Sequence, residues 1–334
     1  MQRQPKSLLV TGGAGFIGSA FIRYVLQHVS YCAKVVNVDL LTYAADLQNL
    51  KEVESDPRYV FAQGNICDES LVEALCKEHQ VEAIVHFAAE SHVDRSIEDP
   101  AGFYQTNVGG TIHLLNVVRR NPGIHFHHIS TDEVYGSLGS VGCFCESSPY
   151  RPNSPYAASK AASDHFVRSY ANTYQISTTI SHCSNNYGPG QHREKFIPTI
   201  LLSCLHKRPI PIYGKGINVR DWIYVEDHVE AVLQILEKGK KGEVYDIGEG
   251  VEMSNIDLLH LIIEEYAKAF QEDAATLRSL ITYVPDRPGH DYRYAIDGSK
   301  IGRELGWSAR FDFVEGLAKT MQWMCGSLAE KVRG

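Results

Sequence analysis

Ser7-Leu8-Leu9-Val10-Thr11-Gly12-Gly13-Ala14-Gly15-Phe16-Ile17-Gly18 is the stretch that decides the fold. Five residues of β-forming, mostly apolar character run straight into glycines spaced Gly-x-x-Gly-x-x-Gly. Without Cβ atoms the backbone can turn sharply and approach a pyrophosphate, whose charge then meets the N-terminus of the following helix. An acid stands at the right distance: Asp39 closes the next apolar run 21 residues after Gly18, against about 20 for a carboxylate that holds an adenosine ribose diol. A carboxylate there repels a 2′-phosphate, so the pattern predicts NAD rather than NADP, held at Gly12, Gly15, Phe16, Ile17, Gly18 and Asp39.

Outward from this loop, short β-branched runs alternate with longer helical stretches. Strands are predicted at 7–11, 34–39, 59–63, 83–87, 125–130 and 178–183, with helices at 15–28, 70–79, 102–118 and 156–174. Near-continuous apolar strands alternating with helices read as a parallel sheet covered on both faces, an α/β doubly wound sheet of the Rossmann type. After Cys183 the rhythm breaks and prolines and glycines cluster. Helices are still predicted at 226–238, at 256–270 behind a capping-box-like Ser254/Asp257 start, and at 313–324. Residues 1–183 therefore read as the dinucleotide-binding domain, with returns near 219–248, and 184–334 mainly as a smaller, interleaved C-terminal substrate lobe.

Bulk composition excludes more than it selects. The 334 residues carry a net charge of −8, so neither nucleic acid nor an anionic membrane is an expected partner. An anionic substrate would need a local cluster of cations. The eight cysteines contain no C-x-x-C pair and read as scattered reduced thiols. No apolar run approaches the roughly 18 residues of a membrane span, and the polar start gives no signal-peptide pattern. The expectation is a cytoplasmic protein.

Two further patterns carry chemistry. Tyr156 and Lys160 stand four apart, on one face of a helix opened by Pro155. Tyrosine with a pKa of about 10 is a poor base; a cation roughly 4 Å away is worth about three pKa units at an effective dielectric of 20, before desolvation works against it. On that reading Lys160, helped by an oxidised nicotinamide, makes Tyr156 a usable base. Ser130-Thr131-Asp132-Glu133 follows the fifth strand, beyond whose carboxyl end ligands of open α/β sheets sit. Two adjacent carboxylates there repel or divide labour as acid and base; an acidic turn without chemistry is the plain alternative. His125, His127 and His128 alternate faces of a strand without a carboxylate or thiol at ligand spacing, so no metal is expected and a structural or solvent-facing role is.

In order along the chain come the glycine loop, Ala88-Ala89-Glu90-Ser91-His92-Val93-Asp94-Arg95-Ser96, Ser130–Gly136, Tyr156–Lys160, Ser184-Asn185-Asn186-Tyr187-Gly188-Pro189, Asn218-Val219-Arg220-Asp221-Trp222 and Asp286-Arg287-Pro288-Gly289-His290-Asp291. Together they resemble the dTDP-glucose 4,6-dehydratase family of the extended short-chain dehydrogenase/reductase superfamily. The glycine loop and Tyr/Lys pair point to the superfamily, Thr131-Asp132-Glu133 and Ala88–His92 to the dehydratase branch. The resemblance implies Thr131 and Tyr156 at the C-4 hydroxyl, Glu133 as base at C-5, Asp132 as acid to the C-6 hydroxyl, and NAD returning its hydride to C-6. It adds Asn65, Ile66, Ala88, Ala89, Thr106 and Asn186, with Tyr156 and Lys160, to the cofactor contacts. It gives Ser91, Thr131, Asn185, Lys195, Phe196, Pro211, Tyr213, Arg220, Asn255, Arg287 and His290 as the shell of a nucleotide-diphospho-sugar. It also implies a homodimer joined through helices 102–118 and 156–174. The chain departs from the family pattern at Asn65 (Asp), His182 (Arg), Gly190 (Tyr) and Arg193 (Pro). Rival readings are a nucleotide-sugar 4-epimerase or decarboxylase, which has no use for the Asp-Glu pair, and a non-catalytic NAD-sensing protein, in which the Tyr or Lys tends to be lost.

Overall fold

The structure, a computed structural model, describes residues 3–333. Its strands are β1 (Ser7–Thr11), β2 (Lys34–Asp39), β3 (Tyr59–Gln63), β4 (Ala83–His86), β5 (His125–Thr131), β6 (Ser177–Cys183), β7 (Asn185–Tyr187), β8 (Ile210–Tyr213), β9 (Val219–Tyr224), β10 (Val244–Ile247), β11 (Val251–Ser254) and β12 (Ile281–Val284). Seven form one sheet in the order β3-β2-β1-β4-β5-β6-β10, every pair parallel. The sheet is buried on both faces because successive residues serve opposite cores: Leu8 and Val10 join one hydrophobic cluster, Leu9 the other. Helices Phe16–His28 and Val225–Lys238 pack together on the first face. Thr111–Arg120 and Pro155–Tyr174 cover the second. Strand order reverses direction between β1 and β4, and the crevice beyond their carboxyl ends is where such sheets take ligands.

The remaining strands build two small sheets, β11-β9-β7 and β12-β8. Of the stretch 219–248, β10 joins the seven-stranded sheet, whereas β9 pairs with β7 and β11. The helix predicted at 256–270 runs Asn255–Phe270 and starts as its sequence dictates. Asp257 N donates to Ser254 Oγ at 3.2 Å while Ser254 Oγ donates to Asp257 Oδ2 at 2.5 Å.

The last helix runs Phe313–Arg333, past its predicted end at 324, and another is interrupted. In place of a continuous 102–118 helix there is a short turn Pro100–Phe103, a π-helical stretch Tyr104–Gly110, and an α-helix Thr111–Arg120. The Asn107 carbonyl accepts from Thr111 Oγ1 at 2.6 Å and Ser163 Oγ at 2.7 Å. Side-chain hydroxyls thus compete for a carbonyl of the helix ladder, and the wider helical turn accommodates them.

Candidate active site

The crevice at the switch point opens into a cleft of about 770 Å³. Its sheet-side wall begins at the glycine loop. Gly12 has φ +69, and a Cβ there would lie 2.6 Å from both N and Cα of Ala88; one on Gly18 would lie 2.3 Å from the Gly12 carbonyl oxygen. Backbone therefore packs on backbone, and helix Phe16–His28 starts without a side-chain cap, leaving its first amides for a ligand. Asp39 Oδ2 accepts from Ala14 N at 2.9 Å and Oδ1 from Leu41 N at 2.8 Å. Each oxygen keeps a lone pair for a ribose hydroxyl. Among the described residues, no arginine lines the cleft, so nothing there recommends a 2′-phosphate. This cradle fits NAD. The cleft is also lined by Gly15, Ile17, Asn65, Ile66, Ala89, Thr106, Lys160 and Asn186, with Ser91, Asn185 and Lys195 from the expected substrate shell.

At the end of β5 the chain tightens into a 3-10 turn, Asp132–Tyr135, whose N-cap is Thr131. Thr131 Oγ1 accepts from Glu133 N at 3.3 Å and donates to Asp132 Oδ1 at 3.2 Å. Thr131, Asp132, Glu133 and Tyr156 all line the same cleft. The two carboxyls see different surroundings. Asp132 is 2% exposed and its Oδ2 has no partner. Burial, then Glu133 and Asp221, push its pKa well above the carboxylate range. Burial also raises Glu133, but Arg220, Arg287 and Lys195 pull it back. Both carboxyls are thus raised, Asp132 with the stronger push toward the neutral acid and Glu133 with more cations opposing the rise.

The Tyr–Lys pair sits in surroundings that its spacing alone does not show. Helix Pro155–Tyr174 begins with Ser154 Oγ accepting from Ala157 N at 3.1 Å and Pro155 at its first position, so Tyr156 and Lys160 share a face as predicted. Lys160 Nζ, however, donates to the Ile129 carbonyl at 2.7 Å. Tyr156 is pushed well above its ordinary pKa by burial, Glu133 and Cys183, and only the Thr131 hydrogen bond opposes. Burial lowers Lys160 itself to about 8. Desolvation of both groups, with the Glu133 carboxyl facing the phenol, thus works against the help expected from Lys160.

The rest of the substrate shell lies beside this cleft rather than in its lining. Arg220 donates to the carbonyls of Val219, Tyr292 and Asp291 and stacks on Tyr294, its Cζ 4.3 Å from the ring centroid. Arg287, Tyr213 and His290 cluster around Asp94 and Asp286: Tyr213 OH donates to Asp94 at 3.3 Å, His290 Nδ1 to Asp286 at 2.6 Å, and Arg287 Cζ lies 5.5 Å from the Tyr213 ring. Lys195 Nζ donates to the Ser91 carbonyl at 2.9 Å, tying this side to the sheet wall just before helix Phe196–His206. Pro211 is exposed on β8, and Asn255 N donates to the Asn218 carbonyl at 2.9 Å. Of the departures, Gly190 takes φ +89 beside Asn49, Arg193 is exposed, Asn65 Oδ1 accepts from Cys67 N, and His182 is fully buried.

Two features escaped the sequence reading. Asn107, inside the π-helical stretch, donates Nδ2 to Ser159 Oγ at 2.8 Å and the Glu90 carbonyl at 3.0 Å, and accepts from Glu90 N at 2.8 Å. It locks the Tyr156 helix to the loop after β4. Tyr43 carries Arg95 3.8 Å above its ring and meets His192 edge-on at 5.7 Å, forming one rim of the cleft. The three strand histidines are buried: His125 and His127 both reach Thr179 Oγ1, at 3.0 and 2.8 Å, while His128 faces Asp164 on the other side at 3.3 Å. All eight cysteines are free thiols.

Residues 9–320 match the family model described as GDP-mannose 4,6 dehydratase. A dTDP-glucose 4,6-dehydratase of Neisseria meningitidis serogroup B is 47% identical over 95% of this chain and 93% of its own. One of Xanthomonas campestris pv. campestris is 49% identical over 94% and 92%. Among solved structures, the dTDP-glucose 4,6-dehydratase DesIV of Streptomyces venezuelae, with NAD and TYD bound, superposes with TM-score 0.91 at 45% identity, covering 97% of this chain and 98% of that one. A UDP-glucose 4-epimerase of Thermotoga maritima shares the fold at TM-score 0.86 with 28% identity, over 96% and 99%. With its glycine cradle, its paired acids beyond β5 and this likeness over nearly its whole length, the chain belongs to the dTDP-glucose 4,6-dehydratase family.

Proposed function

We propose that this protein is an NAD-dependent hydro-lyase that converts dTDP-glucose to its 4-keto-6-deoxy derivative. The observation that carries the proposal is the pair Asp132–Glu133, facing one cleft with Tyr156, both raised by burial but with more cations opposing the rise at Glu133 than at Asp132. Bound oxidised NAD supplies the acceptor for the C-4 hydride, a ring charge that favours tyrosinate, and later the hydride for C-6. Tyr156, oriented by Thr131, takes the proton of the C-4 hydroxyl, with Lys160 as the nearby buried ammonium. Once C-4 is a ketone, the C-5 hydrogen is acidic, and Glu133, kept anionic by Arg220, Arg287 and Lys195, removes it. Asp132, kept protonated by burial, donates to the departing C-6 hydroxyl, and water leaves. Glu133 returns its proton to C-5 as hydride reaches C-6. Oxidation and reduction cancel, so the sugar loses one water and nothing else.

The three cations hold the diphosphate; the division into a dinucleotide-binding domain and an interleaved substrate lobe fits the two walls of the cleft. Tyr104, Phe166 and Tyr174, 64, 38 and 44% exposed, give the 102–118 and 155–174 segments an apolar outer face suited to a homodimer. No helix among the described residues is long and apolar enough to cross a membrane, and the eight free thiols suit a reducing, cytoplasmic setting. The deciding experiment supplies dTDP-[4-²H]glucose. Deuterium should appear at C-6 of an alkali-absorbing 4-keto product, with UDP-glucose turned over more slowly. Deuterium retained at C-4 of an inverted sugar would make the protein an epimerase instead.

A further inference from the structure

Behind the cleft, touching its lining at Ser130, lies a buried ionic cluster that the reaction as described does not use. Ser130, His182 and Asp246 sit side by side in register across β5, β6 and β10, under the face covered by helix Pro155–Tyr174. From that helix, one turn after Lys160, Asp164 descends onto them. The His182 ring is clamped between two carboxylates: Nδ1 is 2.9 Å from Asp246 Oδ1 and Nε2 3.1 Å from Asp164 Oδ2. Both acids and the imidazole are 0% exposed. Two tyrosines complete the cluster. Tyr135, the last residue of the 3-10 turn, donates its OH to Asp246 Oδ1 at 2.9 Å and lies 2.9 Å from His182 Nδ1. Tyr150, just before the helix, brings its OH within 2.8 Å of His182 Nε2. Ser130 Oγ donates to Asp164 Oδ2 at 2.9 Å.

The charge state follows from this geometry. A neutral imidazole has one N–H, so even where Tyr135 or Tyr150 donates to its other nitrogen, one of the two buried carboxylates is left without a ring donor. An imidazolium has two N–H donors, one for each acid, and supplies the cation without which two buried carboxylates are prohibitively expensive. The other groups facing the cluster are His128 from β5, whose Nε2 is 3.3 Å from Asp164, Lys160 from the helix, and Glu146, which accepts from Asp246 N at 3.0 Å. Burial keeps His128 near 4 and so neutral at physiological pH. Burial also lowers His182, but hydrogen bonds and charge from Asp164 and Asp246 outweigh it and leave the pKa at about 9.

We propose that His182 is a positioning residue: as an imidazolium between Asp164 and Asp246, it fixes the turn bearing Asp132 and Glu133 relative to the helix bearing Tyr156 and Lys160. The inference rests on the roles proposed above for those four residues. It follows that the reaction has an alkaline limit set outside the cleft. Deprotonating His182 leaves one carboxylate without a ring donor, loosens turn from helix, and misaligns oxidation at C-4 from elimination at C-5 and C-6. Substrate binding is untouched, because His182 does not line the cleft.

The test compares wild-type holoenzyme with His182→Gln and His182→Arg. Glutamine keeps a hydrogen bond without charge. It should lower kcat about 10²-fold, the scale of a misplacement near 1 Å, with KM within about twofold. Arginine, charged at all accessible pH values and able to bond both acids, should recover most of kcat and carry the alkaline limb of the kcat profile above its wild-type position. A glutamine variant with wild-type kcat, or an arginine variant with the wild-type limb, overturns the proposal. A ¹⁵N-histidine spectrum of the wild type is a check that needs no folded variant: both His182 ring nitrogens should be protonated near pH 7.5, and a neutral ring overturns the proposal. Absence of 4-keto product from the wild type itself would defeat the proposed function instead.

Discussion

The two walls of the cleft are built from different materials. The sheet wall is backbone: glycines packed against Ala88, uncapped helix amides, and the turn that ends β5. On the lobe side long side chains from three distant stretches of chain meet the cleft, Lys195 in its lining and Arg220 and Arg287 beside it. Asp132 and Glu133 stand between the two. Burial, Glu133 and Asp221 push Asp132 well above the carboxylate range, while Arg220, Arg287 and Lys195 oppose the rise that burial gives Glu133. Two adjacent carboxyls thus meet different neighbours, with no difference in intrinsic chemistry, as the proposed acid and base roles require.

Removing the acids one at a time breaks this comparison most severely. Glu133→Gln deletes the base at C-5 and should lower kcat by about 10³-fold or more, near the top of what positioned proton transfer contributes. Oxidation at C-4 does not need Glu133. Rapid-scanning absorbance should therefore still show reduced cofactor forming in a single turnover while no product leaves. Asp132→Asn should cost less, about 10²-fold, because a carboxamide can still hydrogen-bond the leaving oxygen. If the two variants lose equal activity at the same step, the carboxyls do not divide labour.

The sheet wall can be broken separately. Gly12→Ala puts a Cβ 2.6 Å from backbone atoms of Ala88 at φ +69. The clash is with main chain, which cannot swing away, so a loss of about 1–3 kcal/mol is expected. It should appear as a lower Tm and as NAD lost on gel filtration, with the lobe wall untouched. This wall was also the legible one. Gly12 to Gly18, Thr131 to Glu133 and Tyr156 to Lys160 are each contiguous or set by one helical turn, and Asp39 ends the strand next to β1 after a single helix, so short-range spacing carries their geometry. The Asp164–His182–Asp246 cluster was not legible, since its members meet only through the register of β5, β6 and β10. Asn107 was hidden for a related reason. Its place depends on a π-helical turn that hydroxyls from two helices impose, and the apolar pattern of 102–118 reads as an ordinary helix. The balance at Tyr156 was legible only in outline: the spacing showed Lys160, but the extent of burial, the largest influence, and the facing Glu133 are properties of the folded chain.

The lobe wall offers the smallest and most diagnostic effect. Arg220 is the foremost of the cations that offset the burial of Glu133. Glu133 acts as a base only when ionised, so its folded pKa sets the acidic limb of the kcat profile. In Arg220→Met the offset is gone, and that pKa rises further. Activity should be lost earlier as pH falls and regained as pH rises. A shift of about one unit would be a tenfold loss on the acidic limb. Asp132, already neutral, moves further from ionisation in the same variant and stays a proton donor, so the alkaline limb should not move. Arg220 also donates to the carbonyls of Asp291 and Tyr292, and Arg220→Lys separates that contribution. Lysine keeps the charge without the planar fork. It should restore the acidic limb while KM for the nucleotide sugar stays raised. If methionine and lysine shift the limb equally, the charge of Arg220 does not reach Glu133, and what keeps that carboxylate ionised must come from Arg287 and Lys195.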